Sequence, residues 1–168
     1  HLVGDVVTHY MRLAPGKLGI TFATDVETAT EMSIQFNSNG IPAEVISAKT
    51  PEAIRNTIIR RFRTGEILQI VNVDILGEGF DLPAVSVVSM ARPTQSYGLY
   101  VQQFMRALRR HDDDPNKVAI IIDHASNVIR HGLPDKEREW SCDARGAVPK
   151  AKNREDDIHF RYGCPRHT

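Results

Sequence analysis

Gln102, Arg106 and Arg109 lie in residues 99–110, LYVQQFMRALRR, and their side-chain types suit a phosphate. A guanidinium presents a rigid fork of N–H donors that matches phosphate oxygens two at a time, and a primary amide adds a donor and an acceptor. Side chains three or four apart are neighbours on a helix surface, so a helix here is expected to aim all three polar heads one way. Leu99, Val101, Phe104, Ala107 and Leu108 would form the face that docks on a core. Phosphate binding and a solvated basic helix face both fit this stretch taken alone.

A second cluster lies upstream in residues 62–83, FRTGEILQIVNVDILGEGFDLP, where Gly77 and Gly79 flank Glu78 and are followed by Asp81 and Pro83. Together the two segments resemble motifs V and VI of the superfamily two helicases, the nucleic-acid-stimulated ATPases that include the DEAD-box and DEAH-like enzymes. Motif VI of that family reads Q-x-x-G-R-x-x-R, and Gln102, Arg106 and Arg109 fall in register with it. Gly79, Asp81 and Pro83 match the G-x-D-x-P ending of motif V. Residues 19–41 are similar to the motif IV strand and helix, and DHASNVIRHGLP with Trp140 resembles a subgroup of bacterial and phage helicases. Two positions depart from the family: Met105 stands where motif VI has glycine, and Val73 where motif V has a threonine that touches the nucleic-acid backbone.

The resemblance covers residues 1–131 and implies the second of two RecA-like domains, with residues 132–168 left as a polar tail. It implies ATP and Mg2+ held mainly by a first, N-terminal RecA-like domain of the same protein, with Arg109 inserted from this side as an arginine finger. Such a finger is worth about 10³ to 10⁵ in rate. Arg106 would share the γ-phosphate. Gln102 would read phosphate and the facing domain, or serve as a cap or interhelix bond. Asp81 would accept from the ribose hydroxyl or from water near the metal, or be a turn aspartate; Gly79 would allow close approach to the nucleotide. The other partner implied is DNA or RNA, with Thr24 and Asn72 as backbone contacts that carry no base specificity. This domain alone is expected to be inactive. A non-catalytic helicase-like binding module, and the motor part of a restriction or repair complex, are the competing readings.

Several features bound the function. No G-x-x-x-x-G-K-[ST] loop is present, and Gly16-Lys17 followed by Leu18 reads as a turn. Asp112, Asp113 and Asp114 precede a strand and are followed by Pro115, as in a solvated loop. Twenty-one basic and 21 acidic residues balance, so any nucleic-acid contact must come from a local patch such as Arg60, Arg61 and Arg63, which equally fit a solvated face. No run of 18 apolar residues suggests a membrane span, and the expected location is cytoplasmic. The two cysteines fall in the tail, which argues against a disulfide-built core. Cys142 and Cys164, with His167, are candidate Zn2+ ligands. A first residue that is not methionine suggests a piece of a longer protein.

The elements that would position these groups alternate. Helical spacing is expected over residues 5–13, 26–39 and 50–64, the last capped by Thr50 with Pro51 in its first turn and burying Ile54, Ile58, Ile59 and Phe62. Strands are expected at 18–23, 43–47, 67–71, 85–90 and 118–122. This order predicts an α/β, RecA-like parallel sheet with helices on both faces and an irregular C-terminal tail. Ligands of such sheets gather at the carboxyl ends of the strands, which places the loops after Val71 and Met90, and Asp123, along one edge. Asp123-His124 there suggests acid–base work or capping of the next turn.

Overall fold

A computed structural model describes residues 2–74, 84–110, 114–136, 138 and 160–162. In chain order the elements are α1 (Leu2–Leu13), β1 (Gly19–Phe22), α2 (Val26–Ser38), β2 (Ala43–Ser47), α3 (Glu52–Arg63), β3 (Gln69–Val73), β4 (Val87–Met90), α4 (Tyr97–Leu108), β5 (Ala119–Asp123), α5 (Asn127–His131) and β6 (Phe160–Tyr162). The sheet order is β2-β3-β1-β4-β5-β6. The first five strands are parallel, and the β1–β2, β2–β3 and β4–β5 crossovers run through α2, α3 and α4, each of which returns the chain to the same end. β6 pairs antiparallel with β5, so part of the tail expected to be irregular adds a strand to the sheet edge.

Every residue of β1, β3 and β4 is buried, as expected of strands covered on both faces. One face carries Ile20, Ile70 and Val88 against Ile58 and Phe62 of α3 and Tyr100, Phe104 and Ala107 of α4. The other carries Val71, Val87 and Ile122 against Val6, Val7 and Tyr10 of α1 and Ala29, Met32 and Phe36 of α2. Asp25 caps α2, its Oδ1 accepting from the Thr28 amide at 2.8 Å. Gly40 and Gly65, just past α2 and α3, have φ of +74° and +76°, the left-handed backbone that lets each helix stop abruptly.

Local differences from the sequence expectations have local causes. Pro51, not Thr50, is the N-cap of α3, and no side chain caps it. The Thr50 hydroxyl instead accepts from the Ser47 amide at 2.9 Å, closing the turn after β2. Ile54 is 53% exposed because it falls in the first turn of α3, before the helix settles onto the sheet. β3, β4 and β5 begin one or two residues later than their apolar runs, since Ile67 and Val85 are buried as approach segments without ladder pairing. Phe62→Ala should cost about 3–5 kcal/mol, the range for truncating a buried aromatic. The check is the urea unfolding midpoint, which should fall without a change in slope.

Candidate functional site

Rotation of α4 about its axis decides where its polar groups point. Ser96 starts the helix, its Oγ accepting from the Leu99 amide at 3.2 Å. At about 100° per residue, Tyr100, Gln103, Phe104 and Ala107 share one arc, and Leu99 and Arg106, seven apart, lie at its margin. Arg106 is accordingly only 7% exposed. The expectation of three polar heads on one outward face is therefore corrected. Gln102 is exposed, Arg106 is buried at the edge of the docked arc, and Arg109 lies beyond the helix. Arg109 is the C-cap, in extended backbone with φ −61° and ψ 133°, and is half-buried. Its carbonyl accepts from Lys117 Nζ at 2.5 Å, and the same ammonium donates to the Val85 carbonyl at 2.8 Å. A cation there meets the negative end of the helix dipole. Desolvation by burial holds Lys117 below the usual lysine range. Met105 points away from the sheet, 47% exposed.

At the carboxyl edge of the sheet, the ends of β1, β3 and β4 meet α4 around a cavity of about 50 Å³. Its lining includes Ala23, Asn72, Asp74, Arg92, Gln102 and Gln103. Ligand pockets that enclose a whole small molecule run to about 300–1,000 Å³, so this one admits a single group at a time. Asn72 is 2% exposed and Gln103 4%, and Asn72 Oδ1 and Gln103 Oε1 have no hydrogen-bond partner among the described residues. Such buried acceptors favour an incoming donor. Asp74 ion-pairs with Arg92, joining the β3 and β4 loops across this edge.

The cavity thus brings together two residues singled out from sequence, Asn72 and Gln102, and adds Gln103, Asp74 and Arg92. Gln103 had a sequence signal: it is a polar residue three after Tyr100 and four before Ala107, inside the apolar stripe. Arg106, Arg109 and Thr24 are not in the lining. Thr24 is exposed at the end of β1, and its hydroxyl donates to Asp25 Oδ2 at 2.7 Å. Arg61 of the basic cluster is committed to Glu44 and Glu66. Asp123 caps the next turn, accepting from the Ala125 amide at 3.1 Å and the Val128 amide at 2.7 Å. Gly79, Asp81, Cys142, Cys164 and His167 lie outside the described residues. Among those described, no three His, Cys, Asp or Glu side chains could hold a metal ion together, and no helix is long and apolar enough to cross a membrane.

A five-stranded parallel sheet with helices on both faces, the start of α4 meeting its carboxyl edge, is a RecA-like α/β fold. Residues 3–111 match the family described as the helicase conserved C-terminal domain, and the chain belongs to that family, as the C-terminal RecA-like domain of a superfamily two helicase. It is 40% identical over 164 residues to a 51.5 kDa protein of a Lactococcus phage (isolate 7-9), covering 98% of this chain and 35% of that protein. It is 29% identical over 105 residues to the DEAD-box ATP-dependent RNA helicase CshA of Bacillus cereus, covering 62% of this chain and 20% of that protein. The fold is similar to that of Saccharomyces cerevisiae Dbp5 bound to RNA and ADP BeF3, with a TM-score of 0.58, 21% identity, and coverage of 72% and 31% of the two chains. The chain therefore spans about a third or less of the length of these relatives.

His124, at the end of β5, stacks on His9 of α1 with ring centroids 5.2 Å apart. Burial, and secondarily the facing His9, pushes His124 down to about 4, while Asp5 acts in the opposite direction. Between pH of about 4 and 6.5 the unfolded chain binds a proton here that the folded one refuses. Stability should therefore rise with pH across that window and lose this dependence above it. His124→Asn should flatten the pH dependence of the urea midpoint between those limits; an unchanged slope would remove His124 as its source.

Proposed function

We propose that this chain is the second motor domain of an ATP-dependent nucleic-acid helicase or translocase, and that residues 1–131 form the working unit. The observation that carries the reading is the register of Gln102 and Arg106 along α4 and of Arg109 at its C-cap, in a chain that belongs to the helicase C-terminal domain family. Guanidinium and amide donors are the groups that phosphate oxygens accept from, so these residues fit the β- and γ-phosphates of an ATP held mainly by a first RecA-like domain. Mg2+, bound on that other side, would neutralise the phosphate charge.

The small volume at the sheet edge supports a divided site, because this half contributes an edge and not an enclosure. Arg109, at the C-cap of α4, would stabilise charge developing on the transferred phosphoryl group once the two domains close. Arg106, fixed at the edge of the docked arc, contributes a guanidinium whose direction changes little during closure. Thr24, just after β1, and Asn72, near the carboxyl end of β3, would meet the DNA or RNA backbone. Neighbours in fold include a helicase bound to RNA, which supports a nucleic-acid partner. Met105 lies exposed on α4, away from its docked arc.

In the full-length protein, Arg109→Ala should lower nucleic-acid-stimulated ATP turnover by about 10³-fold or more, while nucleotide affinity changes only a few-fold. Undiminished turnover would refute the assignment of Arg109.

A further inference from the structure

We infer that Asn127 and His131 are positioning residues that clamp the loop launching α4, and so set where Gln102 and Arg106 stand. The inference rests on the proposed ATP reaction for its kinetic consequence and on geometry alone for the clamp.

Asn127 is fully buried, and both ends of its amide are used on either side of Pro93. Its Nδ2 donates to the Arg92 carbonyl at 2.9 Å, and its Oδ1 accepts from the Thr94 amide at 3.0 Å. His131 Nε2 lies 2.8 Å from the Thr94 carbonyl, a hydrogen bond that Nε2 donates when it carries a proton. Thr94 Oγ1 in turn accepts from the Ser96 amide at 3.1 Å, and Ser96 is the N-cap of α4. The His131 ring stacks on Tyr100 in the first turn of that helix at 5.1 Å, and the Tyr100 hydroxyl donates to the Gly132 carbonyl at 3.0 Å. The segment DHASNVIRHG, which the phosphate chemistry leaves unused, thus forms a strap across the start of α4.

The strap extends to the cavity, since Arg92, whose backbone Asn127 holds, ion-pairs with Asp74 there. Among the described residues only two non-glycine positions have positive φ, Asp74 at +62° and Ser126 at +56°. They stand at the two ends of this chain of contacts, after β3 and immediately before Asn127. Backbone in that region costs about 1–3 kcal/mol and persists where surrounding contacts over-determine it.

A small error at this clamp is magnified. The far end of α4 is tied by Lys117 to the Arg109 and Val85 carbonyls, so losing the near clamp lets the helix swing about that tie. Gln102, seven residues from Arg109, is about 10 Å from the pivot, and a tilt of about 6° moves it by about 1 Å. A displacement of that size in positioning a reacting group costs up to about 10²-fold in rate.

The test uses the full-length protein and three forms: wild type, His131→Ala and His131→Gln, the glutamine keeping an N–H able to reach the Thr94 carbonyl. For His131→Ala, kcat for stimulated ATP hydrolysis should fall at least about tenfold with KM for ATP changing less than about threefold, and His131→Gln should recover most of the loss. Hydrogen exchange at the Thr94 and Leu99 amides should quicken in the alanine form and return toward wild type in the glutamine form. Unchanged kcat in the alanine form, or equal losses in both variants that follow the melting temperature, would overturn the positioning role. A wild type without hydrolysis would refute the motor assignment instead; unaltered exchange in His131→Ala would then overturn the clamp by itself.

Discussion

Burial of Tyr100, Phe104 and Ala107 against the sheet fixes the rotation of α4, and each candidate phosphate-binding group takes its direction from that setting. Fully buried aromatics are each worth several kcal/mol, whereas an exposed ion pair contributes about 0–1. Packing therefore decides the orientation, and the polar groups occupy what remains of the helix surface. Gln102 remains outside, Arg106 is drawn to the margin, and Arg109 takes extended backbone because the helix stops at Leu108.

The same economy governs the sheet edge. Five parallel strands bring the ends of β1, β3 and β4 together with the start of α4, and the resulting cavity holds amide oxygens without a partner among the described residues, beside an ion pair that joins two loops. A cavity of this size admits single groups and does not enclose a whole small molecule. Both ends of α4 are held by backbone-directed contacts, from Asn127 and His131 at one end and Lys117 at the other. The helix is thereby constrained more tightly than its neighbours' side-chain packing alone would require.

Much of the architecture was legible from the chain itself. Period-3.6 and continuous apolar runs located the helices and buried strands, and their alternation dictated a parallel sheet, because neither property depends on distant partners. The motif register brought attention to Gln102, Arg106 and Arg109, and to Asn72 through its place beside Val73 in the segment that resembles motif V. The orientation of Arg106 was misjudged because Leu99 and Arg106, seven apart, share a helix face, a relation that an apolar-versus-polar division obscured. Gln103 was overlooked although its position in the buried stripe marked it. Asp74, Arg92, Lys117, Asn127 and His131 had no comparable local signal, since their roles arise from contacts between loops 18 to 37 residues apart or with a helix end. β6 escaped for a related reason: three residues paired to an edge strand leave no periodicity to read.

A structure of the full-length protein with nucleic acid, ADP and a fluoride mimic of the transferred phosphoryl group would put the arrangement to its sharpest trial. The Arg109 guanidinium should lie within about 2.7–3.2 Å of the mimic, with Gln102 on the same nucleotide and α4 still docked through Tyr100 and Phe104. A closed complex in which Arg109 stays turned from the nucleotide, while another residue fills that position, would contradict it.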